Sequence, residues 1–428
     1  MERLVIEGGT PLSGVLRVHG AKNAALPILA AATMANGQIV LSDVPNLEDV
    51  HVMLDILRGL GAQVSYQRRT VVVNPQAIQS TDVPEHLMRL MRSSIFLMGP
   101  LLARFGTVRV SKPGGCTIGS RPIDFHLKGL AQMGAQIVDR HGFIECSAPR
   151  LKGAQIFLDF PSVGATENLM MAAALADGET VIGNAAREPE IRELAMFLTH
   201  LGARIQGAGE DTIAVRGVDQ LGGAEWTIGP DRVVTGTLML ATAITGGHVR
   251  LQNVRPADLT AVITKLREAG VQVLAGHDIL EIKGSGSLQA IERIQTAPYP
   301  GFPTDLQAPF MALLSLAHGT SVVSETVFED RFKHVGELQR MGAAIKLDLR
   351  TAFVRGVKEL TGAFVEASDL RAGAALVLAG LAAQGSTVVE RVFHIDRGYE
   401  HIELQLRELG AHIARTRQAG TSALQAGG

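Results

Sequence analysis

The sequence predicts an α/β protein built from six copies of one unit of about 70 residues, three in each of two domains. One observation behind this is a short segment, apolar-x-x-apolar-Gly-Ala (Val once), which precedes strand-like residues six times. Its glycines are spaced by 73, 68, 68, 72 and 68 residues, and they are Gly61, Gly134, Gly202, Gly270, Gly342 and Gly410. The second observation is an Ala-rich apolar segment, such as "MMAAALADGETVIG", that alternates with the first through the chain. Repeats this regular predict a repeated architecture.

Each unit is predicted to fold as helix–strand followed by helix–strand–strand. The Ala-rich segments are apolar on all sides, which indicates buried helices, whereas "LDILRGL" and "LQLRELG" are amphipathic. The glycine after each Ala-rich segment is predicted to cap its helix with a positive φ, and the β-branched residues that follow predict a strand. Six such units exceed one hydrophobic core, so we expect three per domain.

Composition limits the function of the chain. With 428 residues, a net charge of −2 and 4% aromatic residues, it offers no general attraction for nucleic acid or an anionic membrane, so any anion must bind a local cluster of cations. Cys116 and Cys146 are the only cysteines and indicate neither a disulfide framework nor a metal site. No apolar run reaches the ~18–20 residues of a membrane span, and the N-terminus lacks a signal pattern. We therefore expect a cytoplasmic protein without cofactor, metal, nucleic-acid partner or membrane partner.

Two short segments carry candidate functional residues. Lys22 and Asn23 begin an Ala-rich helix, where a lysine opposes the helix dipole and is better explained by an anionic ligand than by surface exposure. Cys116, in "KPGGCTIGSRP", lies between glycines and near Lys112 and Arg121, whose charges would lower the thiol pKa. This predicts a mobile, reactive thiol, although a small apolar residue in a turn is the alternative.

Four motifs, "GAKNAALPILAA", "PGGCTIGSRPID", "FPTD" and "HIDRGYEHI", resemble those of the enolpyruvyl transferases. The resemblance extends to about residue 413, and the residues beyond it are expected to form a solvated tail. It implies a two-domain inside-out α/β barrel, with helices inside and sheets outside. It further implies that residues 22–229 form one domain, that residues 1–21 join 230–428 in the other, and that the active site lies in the cleft between them and closes on substrate.

The resemblance also implies a reaction, the transfer of the enolpyruvyl group of phosphoenolpyruvate to a sugar hydroxyl with release of phosphate, by addition and then elimination. Cys116 on its glycine loop and the "RPID" stretch favour the 3-hydroxyl of UDP-N-acetylglucosamine as acceptor, the first committed step of peptidoglycan precursor synthesis. Two alternatives stay open. One is a transferase acting on 3-phosphoshikimate, and the other is an inactive paralogue that binds a UDP-sugar.

The family's functional residues map onto this chain by their motifs. Cys116 would be an acid and a nucleophile that forms an adduct with phosphoenolpyruvate and reacts with an epoxide inhibitor. Asp305 would be the base at the sugar hydroxyl, Lys22 would contact phosphoenolpyruvate, and Arg397 would bind its carboxylate. The residues implied in substrate binding are Asn23, Arg92, Arg121, Pro122, Ile123, Asp124, Phe125 (where the family usually has leucine), Ser162, Val163, Gly164, Val327, Arg331, Asp369 and Arg371.

Several of these residues also have an ordinary structural explanation. Ser162 or Thr166, and Thr304 or Asp305, could each simply cap a helix. Arg397 could form a surface ion pair with Asp396 or Glu400. Arg92 could lie on a helix surface, and Val327 could be a core valine.

Overall fold

The computed structural model describes residues 2–112 and 123–417, which form a mixed α/β protein. Two strands, β1 (Glu2–Glu7) and β2 (Ser13–Arg17), precede the first helix. The helices that follow are α1 (Lys22–Ala32), α2 (Glu48–Gly59), α3 (Glu85–Met88), α4 (Met98–Phe105), α5 (Asp124–Gln132), α6 (Val163–Ala174) and α7 (Pro189–His200). The strands among them are β3 (Ile39–Ser42), β4 (Gln63–Gln67), β5 (Thr70–Asn74), β6 (Thr107–Ser111), β7 (Gln136–Arg140), β8 (Phe143–Ser147), β9 (Gln155–Phe157), β10 (Glu179–Gly183), β11 (Arg204–Gln206), β12 (Thr212–Arg216) and β13 (Ala224–Thr227).

The rest of the chain repeats the same order of elements. Its helices are α8 (Arg232–Ile244), α9 (Thr260–Glu268), α10 (Gln307–Leu314), α11 (Val335–Arg340), α12 (Leu370–Ala382), α13 (Phe393–Asp396) and α14 (Ile402–Glu408). Its strands are β14 (His248–Gln252), β15 (Gln272–Ala275), β16 (Ile279–Lys283), β17 (Arg293–Gln295), β18 (Thr320–Ser324), β19 (Ala344–Asp348), β20 (Thr351–Arg355), β21 (Phe364–Glu366), β22 (Ser386–Glu390) and β23 (His412–Arg417). Short 3₁₀ helices cover Pro75–Ala77, Arg92–Leu97, Pro256–Leu259 and Thr304–Leu306.

Each unit contributes strands to one small sheet, and strands from elsewhere in the chain complete several of these sheets, such as β13 beside β3 and β1 between β22 and β23. The strand orders are β13-β3-β5-β4, β6-β8-β7, β9-β10-β12-β11, β2-β14-β16-β15, β17-β18-β20-β19 and β21-β22-β1-β23. In every four-stranded sheet one edge strand pairs in parallel and the other strands pair antiparallel. In the three-stranded sheet, a single parallel bridge between Asp82 and Arg109 stands in place of the parallel edge strand.

The six sheets surround two separate hydrophobic cores. Core residues 21–228 belong to one, and core residues 4–18 and 233–413 belong to the other. We call residues 22–227 the first lobe, and β1 and β2 together with residues 232–417 the second lobe. In each lobe three Ala-rich helices are buried inside the sheets: α1, α4 and α6 in the first lobe, and α8, α10 and α12 in the second. The two cores support the proposed domain division at residues 22–229 and 1–21 with 230–428.

The chain passes between the lobes twice at one place. A bridge pairs Gly20 with Pro230, and the Ala21 N–H donates to the Gly229 carbonyl at 2.8 Å. The N-terminal strands therefore belong to sheets of the second lobe, where Ile6 lies opposite Ile413. No helix within the described ranges is long and apolar enough to cross a membrane.

The positive φ predicted for the glycine after each Ala-rich helix is found at five of those six glycines, and also at a second set of glycines. The glycines of the first signature all have positive φ and each lies two residues beyond a helix. At Gly61 the N–H donates to the Arg58 carbonyl at 2.9 Å and the Ala62 N–H to the Leu57 carbonyl at 3.0 Å, which is a Schellman motif. After the Ala-rich helices, Gly106, Gly178, Gly246, Gly319 and Gly385 have positive φ as predicted, with Gly106 capping α4 directly, and Gly37 does not. A Cβ at Gly37 would lie 2.8 Å from the Gly223 nitrogen, so close backbone contact explains it.

The residues directly after 413 do not form the predicted solvated tail. Residues 412–417 form β23, which pairs with β1 along its length. Arg415 lies in this strand and donates hydrogen bonds to Glu2, Asp396 and Glu403 at 2.7–3.1 Å. The expectation was therefore wrong for residues 414–417, because the sequence does not reveal that an N-terminal strand pairs with them.

Candidate active site

Lys22 lies at the junction of the lobes, at the first residue of α1. Its side chain is buried, and its Nζ lies 3.1 Å from Asp49 Oδ2, on α2. The other oxygen of the same carboxylate, Oδ1, accepts from Arg397 Nε of the second lobe at 2.9 Å. Burial lowers the pKa of Lys22, the Asp49 carboxylate opposes that shift, and the charges of Arg371 and Arg397 add to it. Asp49 thus holds cations from both lobes together.

Asp305 forms a second cluster with two arginines of the second lobe. Its Oδ1 accepts from Arg331 Nη2 at 2.5 Å and lies 3.2 Å from Arg371 Nε. Both guanidinium groups are buried, whereas 29% of the Asp305 side chain is exposed. Burial raises the pKa of Asp305, but Arg371 and Arg331 outweigh it and hold that pKa well below its usual range. Asp305 is therefore an ionised acceptor at neutral pH.

The two clusters adjoin through the first turns of buried helices. Asp231 caps α8, accepting from the Val233 and Val234 N–H groups at 2.8 and 3.0 Å, and its Oδ2 lies 3.3 Å from the Lys22 backbone nitrogen. Asp369 caps α12, where its Oδ1 accepts from the backbone N–H of Arg371 at 2.9 Å. Asp231 thus links the start of α8 to Lys22 at the start of α1, and Asp369 fixes the start of the helix that carries Arg371.

A third group surrounds the N-terminus of α6 in the first lobe. Ser162 is its N-cap and accepts from the Ala165 N–H at 3.4 Å, so the capping explanation is correct for Ser162, whose own backbone N–H donates to the Phe160 carbonyl at 2.7 Å. Gly164 lies against His126, where a Cβ would be 3.4 Å from His126 Cε1. Burial lowers the pKa of His126 to about 4, and the charge of nearby Arg92 adds to the shift. Arg92 therefore lies in this group, beside an anion-attracting helix end.

The remaining predicted binding residues have plainer surroundings. Ile123 precedes α5, whose first residues are exposed Asp124 and half-buried Phe125. Asn23 and Val163 are half-buried at the starts of α1 and α6, and Val327 is half-buried rather than a core residue. The Val327 N–H donates to Glu325 Oε1 at 2.8 Å.

Three predicted residues, Cys116, Arg121 and Pro122, lie outside the described ranges. The other cysteine, Cys146, is buried, and burial raises the pKa of its thiol to about 11. Lys112, at the edge of the described range, pairs with Asp139 at 2.6 Å. Cys146 therefore has the properties of an unreactive thiol, in contrast to the reactive thiol that is predicted at Cys116.

Two structural alternatives are wrong. Neither Thr304 nor Asp305 caps a helix, because no side chain caps the 3₁₀ turn at Thr304–Leu306 or the start of α10. Arg397 pairs with Asp49 and not with its sequence neighbours, since Asp396 binds Arg415 and Glu400 binds Arg69.

Sequence reasoning found Asp305 and Asp369 but missed two other carboxylates, Asp49 and Glu325. Asp49 lies in the first turn of α2, where an acidic residue is ordinary because it complements the helix dipole, and it is buried on the apolar face of that helix. Glu325 is buried and accepts from Thr296, Thr304, Val327 and Phe328, which ties the segment before Asp305 to Val327. The signal that could have revealed Glu325 is its position as an acidic residue between two strand-like stretches in "SVVSETVF". Across the described residues, no three His, Cys, Asp or Glu side chains are grouped so as to hold a metal ion.

Comparison with known proteins gives the family. Residues 6–406 match the model of EPSP synthase (3-phosphoshikimate 1-carboxyvinyltransferase). A UDP-N-acetylglucosamine 1-carboxyvinyltransferase 2 from Carboxydothermus hydrogenoformans is 54% identical over 97% of this chain and 99% of its own length. A UDP-N-acetylglucosamine 1-carboxyvinyltransferase from Shewanella amazonensis is 50% identical over 97% of this chain and 100% of its own length.

Solved structures give the same fold. The enolpyruvyl transferase NikO from Streptomyces tendae superimposes with a TM-score of 0.88 at 26% identity, over 97% of this chain and 99% of its own. EPSP synthase from Acinetobacter baumannii superimposes with a TM-score of 0.78 at 20% identity, over 97% of this chain and 100% of its own. The chain therefore belongs to the enolpyruvyl transferase family that the EPSP synthase model defines, and it has the family's two-domain inside-out α/β fold.

Proposed function

We propose that the chain transfers the enolpyruvyl group of phosphoenolpyruvate to the 3-hydroxyl of UDP-N-acetylglucosamine and releases phosphate, the first committed step of peptidoglycan precursor synthesis. One observation carries the proposal. Lys22, Arg331, Arg371 and Arg397 converge on one cleft around the carboxylates of Asp49 and Asp305, in a chain whose net charge is only −2. Relatives 50–54% identical over nearly the whole chain carry the corresponding name.

The cations suit a substrate with both a phosphate and a carboxylate. Guanidinium groups bind such anions through paired hydrogen bonds, and their partial desolvation strengthens the attraction. Lys22, with its pKa lowered by burial, is a better proton donor at neutral pH than an exposed lysine. Following the family resemblance, we propose that Lys22 and Arg397 bind phosphoenolpyruvate, with Arg331 and Arg371 beside them.

Asp305 is proposed as the base that takes the proton of the sugar hydroxyl. While Arg331 and Arg371 hold its pKa low, Asp305 is ionised but only weakly basic. An anionic substrate that pairs with these arginines would weaken their hold on Asp305 and raise its basicity when the reactants are in place. The remaining binding residues named above, including Ser162, Val163 and Gly164 at the N-terminus of α6, are proposed to hold the nucleotide, whose diphosphate suits a helix N-terminus.

The direct test mixes the purified protein with phosphoenolpyruvate and UDP-N-acetylglucosamine and follows phosphate release and the mass of the sugar nucleotide. We expect phosphate together with a carboxyvinyl gain on the nucleotide, and no phosphate when shikimate 3-phosphate replaces the UDP-sugar. Asp305→Asn should reduce turnover by roughly 10²–10⁴-fold, the usual contribution of a positioned base. Turnover with shikimate 3-phosphate alone would overturn the assignment of the acceptor. Tight binding of the UDP-sugar with no release of phosphate would indicate an inactive paralogue.

Cys116 is proposed as the thiol that reacts with phosphoenolpyruvate and with an epoxide that resembles it. Cys146 is a natural internal control, because its thiol is buried and has a raised pKa. Labelling by the epoxide should disappear in Cys116→Ser and persist in Cys146→Ser. We place the reaction in the cytoplasm, where phosphoenolpyruvate and sugar nucleotides are produced.

A further inference from the structure

Glu400 of the second lobe binds Arg69 of the first lobe through two parallel hydrogen bonds. Arg69 Nη1 donates to Glu400 Oε2 at 2.7 Å and Nη2 donates to Oε1 at 2.9 Å. The backbone N–H of Asn46 also donates to Oε2, at 3.0 Å. The side chains of Arg69 and Glu400 are 28% and 16% exposed, so this pair is partly shielded from water. A bidentate, partly desolvated pair is among the stronger ion pairs that proteins form.

The backbone on both sides of this pair is in an unfavourable conformation. Arg68 and Arg69 form the two-residue loop between β4 and β5, with φ of 47° and 63°. Such loops favour Asn and Gly, because other residues are strained at positive φ. On the other side, His401 follows Glu400 with φ of 44°. Non-glycine residues held in this region often mark functional positions, and here they place both partners of one ion pair.

The pair lies next to the proposed active site. Arg397 is three residues before Glu400, and its Nε lies 2.9 Å from Asp49 Oδ1. Asn46 and Asp49 are three residues apart, where the chain enters α2. One short segment of the second lobe therefore meets one short segment of the first lobe at two points, Glu400 with Asn46 and Arg397 with Asp49.

We propose that Glu400 is a positioning residue. Its bond to Arg69 and Asn46 fastens the second lobe to the first when the cleft is closed, and so holds the Arg397 guanidinium at Asp49 and Lys22. Glu400 itself does not touch substrate. The inference rests on the proposed function, since it gives Arg397 a task that matters only if an anionic substrate binds there.

Three variants test the proposal: Glu400→Gln, Arg69→Gln and Arg68→Gln as matched control. Arg68 shares the loop and the left-handed backbone of Arg69, but it is exposed and takes part in no ion pair found within the described residues. Glu400→Gln and Arg69→Gln should raise the KM for phosphoenolpyruvate about tenfold, equivalent to 1.4 kcal/mol, with kcat changed less than about threefold. The double variant should be no worse than either single variant, because both remove one interaction. Arg68→Gln should match the unmodified protein.

Closure is measured separately by small-angle X-ray scattering of the protein saturated with UDP-N-acetylglucosamine and without phosphoenolpyruvate, which requires no turnover. Glu400→Gln and Arg69→Gln should show a larger radius of gyration than Arg68→Gln, at an unchanged urea midpoint. Unchanged scattering together with an unchanged KM would overturn the proposal, as would equal effects in Arg68→Gln or additive effects in the double variant. If the unmodified protein releases no phosphate, the proposed function fails, and the scattering still decides whether Glu400 fastens the lobes.

Discussion

Two groups of side-chain contacts join the lobes, and they differ in kind. At the crossover end, where the chain passes between lobes, α7 presents three charged side chains to the second lobe: Glu190 to Arg232 at 2.9 Å, Glu193 to Arg255 at 3.3 Å and Arg192 to Asp258 at 2.6 Å. In the other group, which we call the latch end, the contacts are Arg69 with Glu400 and Asp49 with Arg397.

The lobes are permanently joined at the crossover end, whereas the contacts at the latch end must form between separate parts of the chain. At the crossover end the backbone itself joins the lobes, so the ion pairs there lose little entropy on forming. At the latch end the partners are 331 and 348 residues apart. Crossover contacts should therefore govern stability, and latch contacts should govern substrate binding.

Arg232→Met provides the strongest test of the crossover end. Arg232 and Glu190 are 13% and 7% exposed, so removing the guanidinium leaves a buried carboxylate without its partner. We expect a loss of about 3–5 kcal/mol in the free energy of unfolding, measured in urea. The control is Arg250→Met, which removes a half-exposed partner of Glu281 within the second lobe and should cost at most about 1 kcal/mol. Equal losses in the two variants would contradict the distinction.

Asp49→Asn should affect activity more than stability. The substitution removes the charge that supports protonated Lys22, so the pKa of Lys22 should fall further below its usual value. A lysine acting as acid then loses its proton at a lower pH, and the alkaline limb of the pH–rate profile should move to lower pH. We expect kcat/KM for phosphoenolpyruvate to fall roughly 10–100-fold, from loss of a hydrogen-bonded charge between two cations. An unmoved alkaline limb would show that Asp49 does not act through Lys22.

The sequence predicted the repeat architecture well because the repeat is encoded locally. A helix that ends at a left-handed glycine needs that glycine wherever the unit recurs, so Gly61 and its counterparts mark every unit. The N-terminal strands were harder, since nothing in β1 itself shows that it pairs with β22 and β23 at the other end of the chain.

For the site, motifs predicted the cations and Asp305 but not Asp49 and Glu400. Lys22 and Arg397 occur in distinctive motifs, whereas Asp49 lies in the first turn of a helix and Glu400 in a turn, where acidic residues are common. Their importance arises from contacts between residues hundreds of positions apart, which no local pattern records.

Glu167, on α6 near the crossover end, predicts a pH effect on stability. It is fully buried, and neither of its carboxyl oxygens has a hydrogen-bond partner among residues 2–112 and 123–417. Burial, followed by the charges of Glu190 and Glu188, raises its pKa well above the usual value. The folded protein therefore keeps a proton that the unfolded chain releases above its pKa of about 4.3. Stability should fall with rising pH from there, by up to about 1.4 kcal/mol per pH unit, until the folded pKa is reached. Glu167→Gln should flatten this slope between pH 5 and 8, and exposed Glu210→Gln should leave it unchanged.

Arg192→Gln is the variant with the smallest expected effect, and it sharpens the comparison between the crossover end and the latch end. Arg192 is 47% exposed, and the charge of Arg255 also acts on its partner Asp258, so one cation remains when the other is removed. We expect a stability loss below about 1 kcal/mol in urea and an unchanged KM for phosphoenolpyruvate. Arg69→Gln removes the same charge at the latch end and should raise that KM with little effect on stability. If both variants raised KM equally, the two ends would act as one interface, and closure would depend on the total number of interlobe ion pairs rather than on where they lie.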